Sequence, residues 1–167
     1  MSKGGSRVRK TRRRGVDPLR AFENTVTIRR ASDDVFAYLA DFENVPRWNH
    51  AIGSTTKTSA GPVGVGSAYR QIRLQPNRSE EGFVVTVFEP GTRIAVEGEI
   101  GPFHARLDYR LEPIEGGTRL VNGVELEPAS AVGKLLAPLA GSRVKAAVAE
   151  NLDTLRRILE SDRRSSG

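Results

Sequence analysis

Only a handful of side chains in this sequence combine a reactive type with a position that could use it. Arg70 lies in Ser67–Leu74, a stretch with strand-like alternation. If Ile72 and Leu74 face an interior, Ala68 and Arg70 face it too, and Arg70 becomes a cation aimed inward. Its planar fork would there hold a carboxylate or enolate oxygen of a ligand through a bidentate contact. The opposite parity places Tyr69 inside instead. An arginine in such a strand can equally run its stem to the edge and pair with an acid. His50, two residues after the lone tryptophan Trp48, is the best acid–base candidate, because an imidazole titrates near neutrality.

Parity supplies two more candidates. In Phe103–Glu112, Phe103, Ala105, Leu107, Tyr109 and Leu111 share one face, leaving His104, Arg106, Asp108 and Arg110 on the other. The inward set of Arg93–Ile100 is Ile94, Val96, Gly98 and Ile100. In the last strand it is Leu120, Asn122, Val124 and Leu126. Asn122 is thus an amide among apolar neighbours, and Tyr109 brings a phenol to the same surface. Each needs a hydrogen-bond partner if buried, and for Asn122 a partner within the fold is expected.

Most other chemistry is excluded. The chain has no cysteine, which removes disulfides, thiolate catalysis and thiolate-bound metal. It has no G-x-S-x-G elbow and no H-E-x-x-H pair, and His50 and His104 are too far apart in pattern to suggest a metal site. The glycines of Gly61–Gly66 lack the Lys-Ser/Thr of a phosphate loop. Glu97 and Asp108 fall on the outward parity, so neither reads as a buried general base.

The elements that position these residues follow from periodicity. Thr25-Val26-Thr27-Ile28 alternates as a half-buried strand does, and the folded body begins near Phe22. Ser32 reads as a helix N-cap, with Asp33 and Asp34 in the first turn and Val35, Phe36 and Leu39 as the apolar face. Asp41–Trp48 reads as a second short helix, separated from the first because Pro46 does not suit the interior of a long one. From Ile52 to Leu126 strands alternate with turns at Pro76-Asn77, Pro90-Gly91, Gly101-Pro102 and Gly116-Gly117, which implies an antiparallel meander. From Ala131 to about Ser161, Val132, Leu135, Leu136, Leu139, Val144, Val148, Leu152, Leu155 and Leu159 recur at helical spacing. Pro138 and Gly141 are expected to kink this helix or split off its first turns.

Charge divides the chain. The formal balance is +6 over 167 residues, but residues 1–20 hold eight Lys/Arg against Asp17 alone, and the remainder is near neutral. With almost no apolar residue, residues 1–20 read as a disordered basic arm, residues 21–162 as one domain, and residues 163–167 as a disordered tail. The arm offers salt-sensitive contact to a nucleic acid or an anionic membrane, or is a solvated start-site extension. No apolar run approaches a membrane span and no apolar stretch follows the N-terminal arginines, so a cytoplasmic location is expected.

The order strand, two short helices, antiparallel strands and long C-terminal helix resembles the polyketide cyclase/dehydrase branch of the START-like (SRPBCC, birch-pollen-allergen-like) superfamily. The resemblance spans about Phe22 to Leu159. It rests on Ala31-Ser32-Asp33-Asp34-Val35-Phe36, Phe42-Glu43-Asn44-Val45-Pro46-Arg47-Trp48 and Gly64-Val65-Gly66-Ser67-Ala68-Tyr69-Arg70, together with the closing helix. It implies an α+β helix-grip fold, a curved antiparallel β-sheet wrapped around a long C-terminal α-helix, with an apolar cavity between them. The expected ligand-binding set is Trp48, Tyr69, Arg70, Val96, Phe103, Tyr109, Asn122, Leu136 and Leu139, with Trp48 at the cavity mouth. No cofactor and no metal are called for, and catalytic residues are left unassigned. Members differ in function. Binding or carriage of an apolar small molecule is the leading expectation, a cyclase, aromatase or dehydratase acting on a polyketide-like substrate the second, and an interaction protein using its arm the third.

Overall fold

The computed structural model describes residues 20–161, with Arg20 and Leu139 described by backbone alone. The basic arm up to residue 19 and the tail from residue 163 lie outside the described residues. Strand β1 runs over Arg20–Ile28, five residues further upstream than the alternation of Thr25–Ile28 indicates. The added length comes from pairing: every residue from Arg20 to Ile28 is in antiparallel register with β7, from Leu126 to Thr118.

Two short helical segments follow. Helix α1 covers Ser32–Ala40 and buries Val35, Phe36 and Leu39. Its N-cap is Ala31, which makes no side-chain cap, so the Ser32 cap expected from sequence is not formed. Ser32 is instead the first helical residue, and Asp33 and Asp34 supply the favourable charge of the first turn. A 3₁₀ turn at Phe42–Asn44 is capped by Asp41, whose carboxylate accepts from the Glu43 N–H. Helix α2, Val45–Trp48, starts with Pro46 in its first turn, where the missing N–H costs nothing.

The meander comprises β2 (Ile52–Lys57), β3 (Ala68–Arg73), β4 (Ser79–Glu89), β5 (Arg93–Ile100), β6 (Phe103–Ile114) and β7 (Gly117–Pro128). With β1 they form one seven-stranded antiparallel sheet in the order β1-β7-β6-β5-β4-β3-β2. A register shift between Val85 and Val87 turns Phe88 inward, where it meets Phe36 of α1 edge-on at 5.2 Å. The expected outward set is ion-paired across strands: Arg93 with Asp108 at 2.6 Å, Arg106 with Glu97 at 3.7 Å, and Arg110 with Glu23.

Helix α3, Ala131–Ser161, is one unbroken 31-residue helix with Pro138 inside it, so the expected split does not occur. Its C-terminal half carries Leu152, Leu155 and Leu159, all nearly fully buried, into the main core with Ile28, Val35, Ile94 and Leu120. Full burial of such side chains contributes about 1.5–3 kcal/mol each. The N-terminal half packs Ala137, Ala140 and Val144 over Phe103, Ala105, Val124 and Leu126. A helix gripped by a curved antiparallel sheet is the architecture.

Candidate ligand cavity

Between the short helices and the middle of the sheet lies a cavity of about 80 Å³. One wall is Leu39, Phe42, Val45 and Trp48, from α1 to α2. The facing wall is Ile94, Val96, Ala105, Leu107 and Tyr109 of β5 and β6. Trp48 and Tyr109 meet across it edge to face, with ring centroids 6.5 Å apart. Gly98 belongs to the same wall for a steric reason. A Cβ on it would lie 2.3 Å from the Gly82 carbonyl oxygen and 2.6 Å from Phe83 Cβ, so only glycine lets β4 approach there.

Besides Asn49 after α2 and Glu99 of β5, the polar lining of this cavity comes from β3. Gln71 and Arg73 line it, and both reach the carboxylate of Glu81 on β4, which is 5 % exposed. Arg73 Nε donates to Glu81 Oε1 at 2.7 Å, and Gln71 Nε2 to Oε2 at 3.0 Å. The Gly101 N–H, from the β5–β6 turn, donates to Oε1 at 3.1 Å. Burial alone would raise the Glu81 pKa. The Arg73 hydrogen bond and charge, helped by Gln71 and Gly101, outweigh it and hold the carboxyl below its ordinary value. The group is an ionised pair with spare guanidinium N–H donors beside an apolar space.

The structure gathers some of the expected residues here and separates others. Trp48, Val96 and Tyr109 line the cavity. Burial raises the Tyr109 pKa, so its phenol is neutral across the physiological range. Tyr69 is inward, as the second parity for its strand anticipated, but it is spent on packing. It stacks on Phe83 at 5.0 Å and tilts against Phe42 at 4.8 Å, with its pKa raised by burial and then by Asp41 and Glu43. Arg70 is a correction: with Tyr69 inside, it faces outward, mostly exposed, and pairs with Glu80 at 3.1 Å. Phe103 is buried under α3, off the cavity wall. Leu136 is exposed and is not on this cavity's wall. The Leu139 side chain lies outside the described residues.

Asn122 is fully buried but off the wall, opposite Asn24 and Tyr109 in register. The partner expected within the fold is missing: neither Nδ2 nor Oδ1 has one among the described residues. Asn24 instead donates to the Lys145 carbonyl. His50 is exposed at the end of α2, its Nε2 3.2 Å from Thr154 Oγ1 and its N–H on Asn151 Oδ1. It pins α2 to α3 and does not face the cavity.

Sequence reasoning missed Gln71, Arg73 and Glu81. The signal was present in the unchosen parity, since Tyr69, Gln71 and Arg73 alternate on one face. Among the described residues, no cluster of His, Asp or Glu could hold a metal ion, and no helix is long and apolar enough to cross a membrane.

The family model described as polyketide cyclase/dehydrase and lipid transport matches residues 20–160, the whole of the sheet and nearly all of α3. The chain belongs to this family. An uncharacterized protein of Mycobacterium tuberculosis is 34% identical over 106 residues, 59% of this chain and 60% of that protein. The match thus spans about three-fifths of that curated relative. Among solved structures, a Thermus thermophilus protein superposes with TM-score 0.72 at 16% identity, covering 89% of this chain and 100% of that one. The Zhui aromatase/cyclase of a Streptomyces species gives TM-score 0.72 at 21% identity, covering 89% and 98%. A START superfamily protein of Mycobacterium smegmatis gives 0.64 at 19%, covering 83% and 98%. At these identities the structural likeness establishes the helix-grip fold. Family and fold together support a hydrophobic-ligand or cyclase-type role in general.

Proposed function

We propose that this polyketide cyclase/dehydrase family protein binds or carries an apolar small molecule bearing one oxygen-rich end. The apolar part would lie between Trp48 and the β5–β6 wall, and a carboxylate, enolate or carbonyl oxygen would meet Arg73 and Gln71. The observation that carries this reading is the ion-paired Arg73, with Gln71 beside it, on the edge of a wall built mainly of apolar and aromatic side chains. At about 80 Å³ the cavity holds two or three waters, well short of the several hundred Å³ a ligand of this kind occupies. Binding therefore requires the wall to yield, and Trp48, the largest side chain on the helical side, is the one to move.

A cyclase or dehydratase reading draws on the same polar end, since Arg73 could polarise a carbonyl and the neutral Tyr109 phenol could donate a proton. Carriage is favoured over it by how these groups are held: burial keeps the Tyr109 phenol neutral, Glu81 and Arg73 are committed to each other, and Glu99 is exposed at the rim.

Native mass spectrometry of the purified protein, with solvent extraction of bound material and titration by an apolar fluorescent dye, tests the proposal. A co-purifying lipid-like or polyketide-like molecule, or saturable dye uptake weakened by Ala105→Leu, is expected. An empty protein with no dye uptake would overturn it. Chemical conversion of an extracted ligand, lost in Arg73→Ala but kept in Arg70→Ala, would put the enzyme reading first.

A further inference from the structure

We infer that Asn122 is a specificity-determining residue that takes a neutral hydroxyl of the bound molecule into the seam between β7 and α3, which rests on the cavity function proposed above. Asn122 is fully buried on the inner face of β7, and neither Nδ2 nor Oδ1 has a partner among the described residues. An amide carries two donors and an acceptor with two lone pairs, and burying them unpaired among apolar groups is costly. Its inward neighbours along β7, Leu120 and Val124, are apolar and buried. A leucine would continue that row without the cost, so packing alone gives no account of the amide.

The amide stands one strand away from the cavity. Tyr109, which lines the cavity, is its register partner on β6, and residues so paired hold their Cβ atoms about 5 Å apart. Leu107, also on the cavity wall, is a diagonal neighbour. The apolar core divides at this point. Leu120 belongs to the cluster that holds Leu152 and Leu155, and Val124 to the one under Ala137 and Ala140. Cover is thin along the seam. Phe22 and Val26 of β1 and Val144 and Val148 of α3 pack inward yet are only half-buried. Asn24, opposite Asn122 in register, spans the seam, its Nδ2 donating to the Lys145 carbonyl at 3.3 Å. A ligand that widens the cavity past Tyr109 enters this seam and meets the Asn122 amide.

The chemistry of the seam selects the group it receives. A hydroxyl donates to Oδ1 and accepts from Nδ2, so one oxygen satisfies both atoms. A ketone pairs only with Nδ2, and a carboxylate would set its charge against Oδ1. The side chains adjoining Asn122 on the inner face include Asn24, Tyr109, Leu120 and Val124, none of them a cation, in contrast to Arg73 on the β3 side of the cavity. Two kinds of ligand oxygen are thereby separated: an acidic or carbonyl oxygen at Arg73 and Gln71, and an alcohol or phenol at Asn122. A buried water has the same pairing capacity as a hydroxyl and is the competing occupant.

Binding of naphthalene, β-naphthol and β-naphthoic acid to the full chain near neutral pH, followed by fluorescence and calorimetry, is the test, since the probes share one apolar body. The parent should bind β-naphthol about tenfold more tightly than naphthalene, as expected for a hydroxyl paired in a buried site. Asn122→Leu and Asn122→Ala should each erase that preference while still binding naphthalene, and the smaller variant excludes simple blockage of the seam. β-Naphthoic acid, held at Arg73, should be unmoved by either. Circular-dichroism melts of Asn122→Leu at or above the parent's keep lost recognition apart from lost folding. A β-naphthol preference that survives both substitutions would overturn the inference and leave the cavity reading standing. So would a parent with no such preference, the result expected if a water holds the amide. Uptake of none of the probes by the parent would overturn the cavity reading, and Asn122 recognition with it.

Discussion

Removing Arg73 would expose how the polar end of the cavity is held. Glu81 is 5 % exposed, and its carboxylate takes hydrogen bonds from Arg73, Gln71 and Gly101. Arg73→Ala withdraws the only counter-charge among the described residues and leaves three neutral donors, Gln71, the Gly101 N–H and Ser79 Oγ at 3.4 Å. Breaking a buried ion pair from one side costs about 3–5 kcal/mol. The three remaining donors and the 13% exposure of the Arg73 side chain place this case at the low end, about 3 kcal/mol near neutral pH. For a domain of this size the melting temperature should fall by roughly 6–12 °C.

The pH dependence gives the sharper signature. In the parent the folded-state pKa of Glu81 is depressed, so its stabilisation is complete above the unfolded value of about 4.3 and is lost as pH falls through the folded value. In Arg73→Ala burial becomes the leading influence and lifts the pKa above the unfolded one. The folded variant then holds a proton that the unfolded chain releases, and its stability declines as pH rises from about 4.3 through the raised pKa. Circular-dichroism melts of parent and variant between about pH 4 and pH 7 should therefore diverge with rising pH. Adding Glu81→Gln to the variant removes the buried charge and should recover most of the loss. Parallel curves, or a loss under about 1 kcal/mol at neutral pH, would refute the reasoning.

Asn122→Leu replaces a buried amide that has no partner among the described residues, so urea denaturation should show a gain of about 1 kcal/mol. A loss of that size would mean that something outside the described residues satisfies the amide. In a spectrophotometric titration the folded protein should show less phenolate absorbance at about pH 10 than the urea-unfolded chain, because Tyr69 and Tyr109 are both held above the ordinary phenol value. Coincident titration curves would contradict the burial of both rings.

The fold was readable because its signals are repetitive. The alternation of Arg93–Ile100 and Phe103–Glu112 placed Val96 and Tyr109 on the inner face, and the Pro-Gly and Gly-Gly turns marked the hairpins where they occur. The polar end was hidden because Ser67–Leu74 carries no clean alternation. Ile72 and Leu74 outvoted Tyr69 as markers of the inside, yet Leu74 is largely exposed at the strand's end. The deciding fact is the partner of Arg73, and Glu81 is brought opposite Gln71 only by the β3–β4 register. A cap such as Ser32, or a helix break at Pro138, depends on a single residue's local geometry, which neighbouring packing overrides. Asn122 illustrates a different limit, because sequence identifies a buried amide but cannot count the hydrogen bonds available to it.

The sheet order also sets a timetable. Residues 20–28 pair only with residues 118–126, and the helix that covers both begins after residue 130. A chain made from its N-terminus holds Val26 and Ile28 without their strand partner until most of the domain has been synthesised. The β2–β6 hairpins can close one by one in the meantime, whereas β1 must wait for the longest strand-pairing closure in the sheet. Destabilising changes in β7 should then cost soluble yield during synthesis more than they cost the melting temperature of the finished protein, because they prolong the interval in which β1 is an unpaired edge.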